Sequence, residues 1–133
     1  MDDGRSGKME DDYLRGLPFR KFLEGAQENR ELWHRVYRQV RVPSDLLALA
    51  RALRGPWRFL ALGEDWCMDS ANTLPILARL SEGVEALDLR ILRKEENPGL
   101  MERHLTDGGE AIPVVMMLDG DFREVGWWGP RPR

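Results

Sequence analysis

Cysteine occurs once in this chain, at Cys67, so no internal disulfide and no dithiol redox pair can form within it. A lone thiol also suits a reducing compartment. With only two histidines, His34 and His104, the sequence lacks the four Cys and His ligands of a structural zinc centre. No apolar run approaches the ~18 residues that a membrane-spanning helix needs. The opening stretch MDDGRSGKMEDDYL has no apolar segment of the secretory kind, so a cytoplasmic location is expected. Charge of one sign is not blocked either. The 20 basic and 23 acidic residues are interleaved for a net charge of -3, without the footprint of a nucleic-acid or membrane-surface binder. Repeats and low-complexity linkers are missing as well.

What is present suffices for one core. With 133 residues, 42% of them apolar, a single domain over 1–133 is expected, comprising a helical extension at 1–55 and an α/β core at 56–129. In LPFRKFLEGA, Phe19, Phe22, Leu23 and Ala26 recur at helical spacing, with Pro18 as a first helical residue. ENRELWHRVYRQV puts Leu32, Val36, Tyr37 and Val40 on one stripe, opposite Arg35 and Arg38. PSDLLALARALR predicts a third helix over 43–54, with Ser44 as N-cap and Gly55-Pro56 as its stop. WRFLALG then reads as a central strand covered on both faces. MDSANTLPILARLSEG is a helix ended by Gly83, and VEALDLRILR alternates with Leu87, Leu89 and Ile91 on one face. NPGLMERHL predicts a short helix with His104 at the surface. IPVVMML and DFREVGWW flank Asp119-Gly120, the signal of a hairpin with a two-residue turn, and the consecutive Trp127 and Trp128 should face opposite sides. This order predicts an α/β fold: a four-stranded mixed sheet, parallel through right-handed crossovers, with a final antiparallel strand and flanking helices.

The chemistry lies in residues 64–75, EDWCMDSANTLP. Cys67 stands there between a strand and a helix, after Trp66 and three residues before Ser70. Asn97-Pro98 follows the second strand, Ile112-Pro113 opens the third, and Gly126 lies near the end of the last. These four features, in this order over residues 56–129, resemble the thioredoxin superfamily. The chain looks closest to a bacterial thioredoxin-like branch with Trp-Cys-x-Asp and a tail like Trp128-Gly129-Pro130-Arg131-Pro132. The resemblance implies a thioredoxin-like fold with extra N-terminal helices and a cis Ile112-Pro113 bond beside Cys67. The usual C-terminal helix is expected to be missing, because Pro130 and Pro132 forbid helix there.

The nucleophile of disulfide exchange is a thiolate, and a helix N-terminus favours that form. The Ser70 hydroxyl is expected to donate to the Cys67 sulfur. Glu64, Asp65 and Asp69 work the other way: like charges ~4 Å apart in a partly wet site cost about 1–4 kcal/mol, against ~0.3–2 kcal/mol from the helix dipole. Activation should be blunted. Ala61 stands where thioredoxins carry a buried aspartate for proton transfer, so the resolving thiol and its proton partner are both missing. A dithiol cycle is therefore closed, and monothiol exchange remains. In that reading Cys67 is the nucleophile and Ser70 its hydrogen-bond donor. Trp66, Met68 and Asp69 line the rim, and the Ile112 backbone beside Pro113 holds a protein or small-molecule thiol or disulfide.

No metal and no resident cofactor is implied. An external thiol, such as glutathione as co-substrate, must resolve the intermediate. One alternative is a redox-silent binding module that uses the groove for β-augmentation. Another is a glutathione-assisted iron–sulfur carrier, which Met68-Asp69 and the lack of a flanking basic residue disfavour. The last two strands are apolar on both faces and need cover. The helices of 18–42 could supply it in cis, or two chains could join as a homodimer about a twofold axis. A combination is expected, with those helices supplying most of the cover because their apolar stripes need a home, and a homodimer beside it.

Overall fold

A computed structural model describes residues 5–129; the tail residues Pro130, Arg131 and Pro132 lie outside them. Five strands form one sheet in the order β1-β3-β2-β4-β5. They are β1 (Leu17–Pro18), β2 (Trp57–Gly63), β3 (Leu87–Arg93), β4 (Val114–Leu118) and β5 (Glu124–Trp128). Around them lie α1 (Arg5–Arg15), α2 (Phe19–Gly25), α3 (Arg30–Gln39), α4 (Ser44–Arg51), α5 (Met68–Glu82) and α6 (Pro98–Glu102), with a 3-10 turn at Lys94–Glu96. This is the thioredoxin-like mixed sheet with flanking and extra N-terminal helices, one strand larger than expected. The added strand, β1, is only two residues long and pairs Leu17 with Ile91, too short to show any alternation.

β2 and β3 are parallel, with Ala61 opposite Ile91, as the intervening α5 predicts. β4 is antiparallel to β2, placing Ala61 opposite Val115, and here the expectation of a second parallel crossover is corrected. The reason is length. The five residues of α6 advance roughly 8 Å, whereas returning along a seven-residue strand takes roughly 23 Å.

Alternate residues of β2 feed two cores. Phe59 and Ala61 face Phe19, Phe22, Leu23, Trp33 and Leu74 from α2, α3 and α5. Leu60 and Leu62 face Met9, Tyr13, Leu100 and Met101 from α1 and α6. The N-terminal helices thus cover both faces of β2 and β4, and α1, which periodicity does not announce, covers the second, whereas β5 stays mostly exposed against the expectation of cover for both last strands. Trp128 meets Phe59 edge-on at 5.7 Å while the more exposed Trp127 stacks on His104, so the two do face opposite sides.

Three local expectations change. Pro18 is the N-cap of α2, because β1 already uses its extended backbone. Ser44 is the first residue of α4, whose cap is Pro43 without a side-chain bond. The hairpin loop is longer than two residues: Asp119 Oδ1 accepts from the N–H groups of Asp121 and Arg123, both at 2.9 Å, and Phe122 takes the positive φ of 63°. No helix among the described residues is long and apolar enough to cross a membrane.

Candidate functional site

β2 ends at Gly63 and α5 starts at Met68, which leaves Cys67 as the N-cap of α5 with extended φ −86° and ψ 118°. Its sulfur takes the role a Ser or Asp oxygen usually has there: the Ser70 N–H donates to Sγ at 3.4 Å. On its other side the thiol donates to the Ile112 carbonyl at 3.7 Å, and the Ile112–Pro113 bond is cis. The Ser70 hydroxyl does not make the contact expected of it; fully buried, it accepts the Glu64 N–H at 3.5 Å. The backbone N–H can serve thiol and thiolate alike, whereas the Ile112 carbonyl can accept only from the thiol. Loss of the proton therefore costs one contact and keeps the other.

The acidic residues beside Cys67 are not a solvated loop. Glu64 is fully buried, with Oε1 2.7 Å from Arg93 Nη2 and Oε2 accepting the Glu95 N–H at 3.1 Å. Asp65 accepts the N–H groups of Gln27 at 2.8 Å and Glu28 at 3.3 Å, with Arg93 at 3.7 Å. Burial opposes the charge of Asp65, but these N–H groups, Arg93 and the Trp66 N–H outweigh it and hold the carboxyl below its ordinary value. Both carboxylates thus have partners of their own, which offsets the like-charge penalty expected at the sulfur. Asp69 is half-buried in the first turn of α5.

The N-terminal helices also grip this loop. Trp33 Nε1 donates to the Asp65 carbonyl at 2.8 Å, and Asn29 Nδ2 donates to the carbonyls of Asp65 and Trp66 at 3.3 and 3.2 Å. Asn29 caps α3 in a left-handed conformation, φ 57°, and its side chain makes no bond to that helix because it reaches for the loop. Asn tolerates that backbone region, so AQENRELW signals a turn; nothing local signals the contact across to residue 65.

Trp66 and Met68 flank the thiol with 42% and 56% of their surface exposed. Ile112 and Pro113 are buried behind it, and Ala61 is fully buried in β2. The end of β2, the start of α5 and the start of β4 thus bring residues 66–70, 112 and 113 together. Gly129 braces the same place: a Cβ there would stand 2.1 Å from the Pro113 carbonyl oxygen. Among the described residues no three His, Cys, Asp or Glu side chains are grouped to hold a metal ion.

His104 is not at the surface. It is buried, with Nδ1 2.8 Å from the Leu100 carbonyl and Nε2 2.6 Å from Glu124 Oε1 on β5.

The thioredoxin family model matches residues 16–133. Among solved structures, a 1.5 Å crystal structure of a protein of unknown function from Pseudomonas aeruginosa has a TM-score of 0.80 at 23% identity, covering 92% of this chain and 76% of that one. An HIV epitope scaffold has a TM-score of 0.82 at 24% identity, covering 92% of this chain and 77% of that one. Likeness at these identities is likeness of fold. No curated protein matches the sequence.

Proposed function

The chain belongs to the thioredoxin family, and on that premise we propose that it performs monothiol thiol–disulfide exchange through Cys67. One arrangement supports this most: Sγ sits at the N-cap of α5, takes the Ser70 N–H at 3.4 Å, and lies against the cis Ile112–Pro113 segment. The Cys67 thiolate attacks one sulfur of a disulfide. A Cys67–sulfur bond forms, the substrate disulfide breaks, and the departing thiolate takes a proton from solvent. A second thiol, of a protein or of the glutathione class, then attacks as its thiolate, leaves with the bound group as a new disulfide, and returns Cys67 to the thiolate. The two steps balance without a resident cofactor. Trp66, Met68 and Asp69 form the rim, and the Ile112 backbone beside Pro113 holds the partner chain. We place the protein with cytoplasmic, bacterial thioredoxin-like proteins that have Trp-Cys-x-Asp.

A redox-silent binding module is the second reading. What favours it is the Ile112 carbonyl, which satisfies the protonated thiol. Reactivity separates the two. Folded protein in excess glutathione disulfide should gain one adduct by intact mass, on Cys67, and Cys67→Ser should gain none. A thiol that reacts only after unfolding removes the exchange reading and leaves the binding module.

A further inference from the structure

The charges interleaved in sequence do not stay interleaved on α3. Arg30, His34 and Arg38 recur at a spacing of four and Arg35 lies beside them, so one side of the helix gathers three arginines and a histidine around a single Glu31. Together they line an open groove of about 440 Å³. The three arginine side chains are exposed, and none is held by a carboxylate or a hydrogen bond among the described residues. The N-terminal end of the helix that bears this groove is tied to the thiol loop. Asn29, the residue before Arg30, is bonded to the Trp66 carbonyl, and Cys67 is the next residue along the chain.

A partner whose disulfide reaches Cys67 and whose chain continues along α3 would first cross the apolar Trp66 and then meet Arg30. Arg38 follows roughly 12 Å further on, the reach of three or four extended residues. Guanidinium groups select carboxylates, which they can hold through paired hydrogen bonds. Nucleic acid fits less well, because a chain of net charge -3 repels a long polyanion, whereas a short acidic segment feels only the charges within a screening length of about 8 Å. We propose that the α3 groove docks an acidic segment of the protein whose disulfide Cys67 exchanges; the proposal rests on the exchange reading above.

Two peptides of equal length test it, each with one cysteine disulfide-bonded to thionitrobenzoate, one flanked by glutamates and the other by glutamines. The readout is the ratio of their thionitrobenzoate release rates. For the native chain the ratio should be about 10 or more at 20 mM salt and approach 1 at 500 mM, and it should be near 1 at both salts in Arg30→Gln/Arg35→Gln/Arg38→Gln. A ratio near 1 in the native chain, or one that survives the triple substitution, overturns the proposal. Anisotropy of the reduced acidic peptide with Cys67→Ser separates this from the exchange reading: salt-dependent binding without exchange sinks the exchange and keeps the acidic groove. A single-stranded oligonucleotide that binds more tightly than the peptide overturns the proposal in favour of nucleic acid.

Discussion

The indole N–H of Trp33 donates to the backbone carbonyl of Asp65 at 2.8 Å, so a helix outside the central strands fixes the loop that carries Cys67. Trp33 is fully buried, and Trp33→Phe would keep most of its packing while leaving that carbonyl only the longer 3.3 Å bond from Asn29. The expected loss is about 1–3 kcal/mol, against about 3–5 kcal/mol for Trp33→Ala, where a cavity is added. Urea denaturation of the two variants measures both. A loss near zero in Trp33→Phe would show that the hydrogen bond contributes nothing beyond packing.

Asp65 makes the same clamp sensitive to acid. Burial works against its charge, but the N–H groups of Gln27 and Glu28, with Arg93, hold its folded value below the ordinary 3.8. Its stabilisation is therefore complete above the ordinary value and is lost as pH falls through the lower, folded one. Asp65→Asn keeps the shape and cannot titrate. The stability gap between the native chain and Asp65→Asn should be widest near neutrality and close below about pH 4. A gap independent of pH would mean that the charge of Asp65 is not what the N–H groups hold.

His104 has the opposite sign. Burial disfavours its imidazolium, yet the Glu124 carboxylate and the Leu100 carbonyl raise its value above the ordinary 6.5, with Arg103 working against them. The stabilisation is fully present below 6.5 and is lost as pH rises through the raised value. Urea midpoints should accordingly fall between pH 6 and the alkaline side, and Glu124→Gln should flatten the profile. Trp127 stacks edge-on to His104 at 5.2 Å, so its fluorescence should follow the same titration.

Legibility in the sequence followed the physics of each element. β2 and α5 were readable because one is a continuous apolar run and the other has helical spacing with Gly83 as its stop, and these two place Cys67. The pairing of Leu17 with Ile91, the bond from Trp33 to Asp65 and the ion pair of Arg93 with Glu64 were not readable, since each joins segments far apart in the chain. The acidic residues show the cost of this. Glu64 and Asp65 look like a wet loop until the partners that hold their carboxylates arrive from the loop between α2 and α3, from β3 and from the 3-10 turn after it. His104 looks exposed for the same reason, because Glu124 lies on another strand.

Ser70 separates the backbone from the side chain at the thiol. Its N–H is bonded to Sγ while its hydroxyl only accepts a long Glu64 N–H bond of 3.5 Å, so Ser70→Ala should leave the alkylation rate of Cys67 within about twofold. A drop of tenfold or more would restore the hydroxyl to the role first expected of it. Ser70→Cys should instead put two thiols within one turn of α5 and close an internal disulfide under oxidising conditions, visible as a loss of two mass units. Dithiol reductase activity should then appear, limited by Ala61, which offers no proton.

Gly129 tests whether the cis Ile112–Pro113 segment positions the thiol. A Cβ at 129 would stand 2.1 Å from the Pro113 carbonyl oxygen, a backbone atom that cannot rotate away, so Gly129→Ala must displace either β5 or the segment bonded to Cys67. The overpacking should cost about 1–3 kcal/mol. Gly126, three residues earlier in β5, has nothing within 4 Å of the same hypothetical Cβ. Gly126→Ala should therefore be neutral or stabilise by up to about 1 kcal/mol, through the less flexible unfolded chain. If the Ile112 carbonyl guards the thiol, alkylation of Cys67 by iodoacetamide should quicken in Gly129→Ala and stay at the native rate in Gly126→Ala. Exchange with a peptide disulfide should move in the opposite direction in Gly129→Ala, because the strand-like edge that holds the peptide is displaced with Pro113. Alkylation and exchange rising together would show that the segment only shields the sulfur and does not hold the partner.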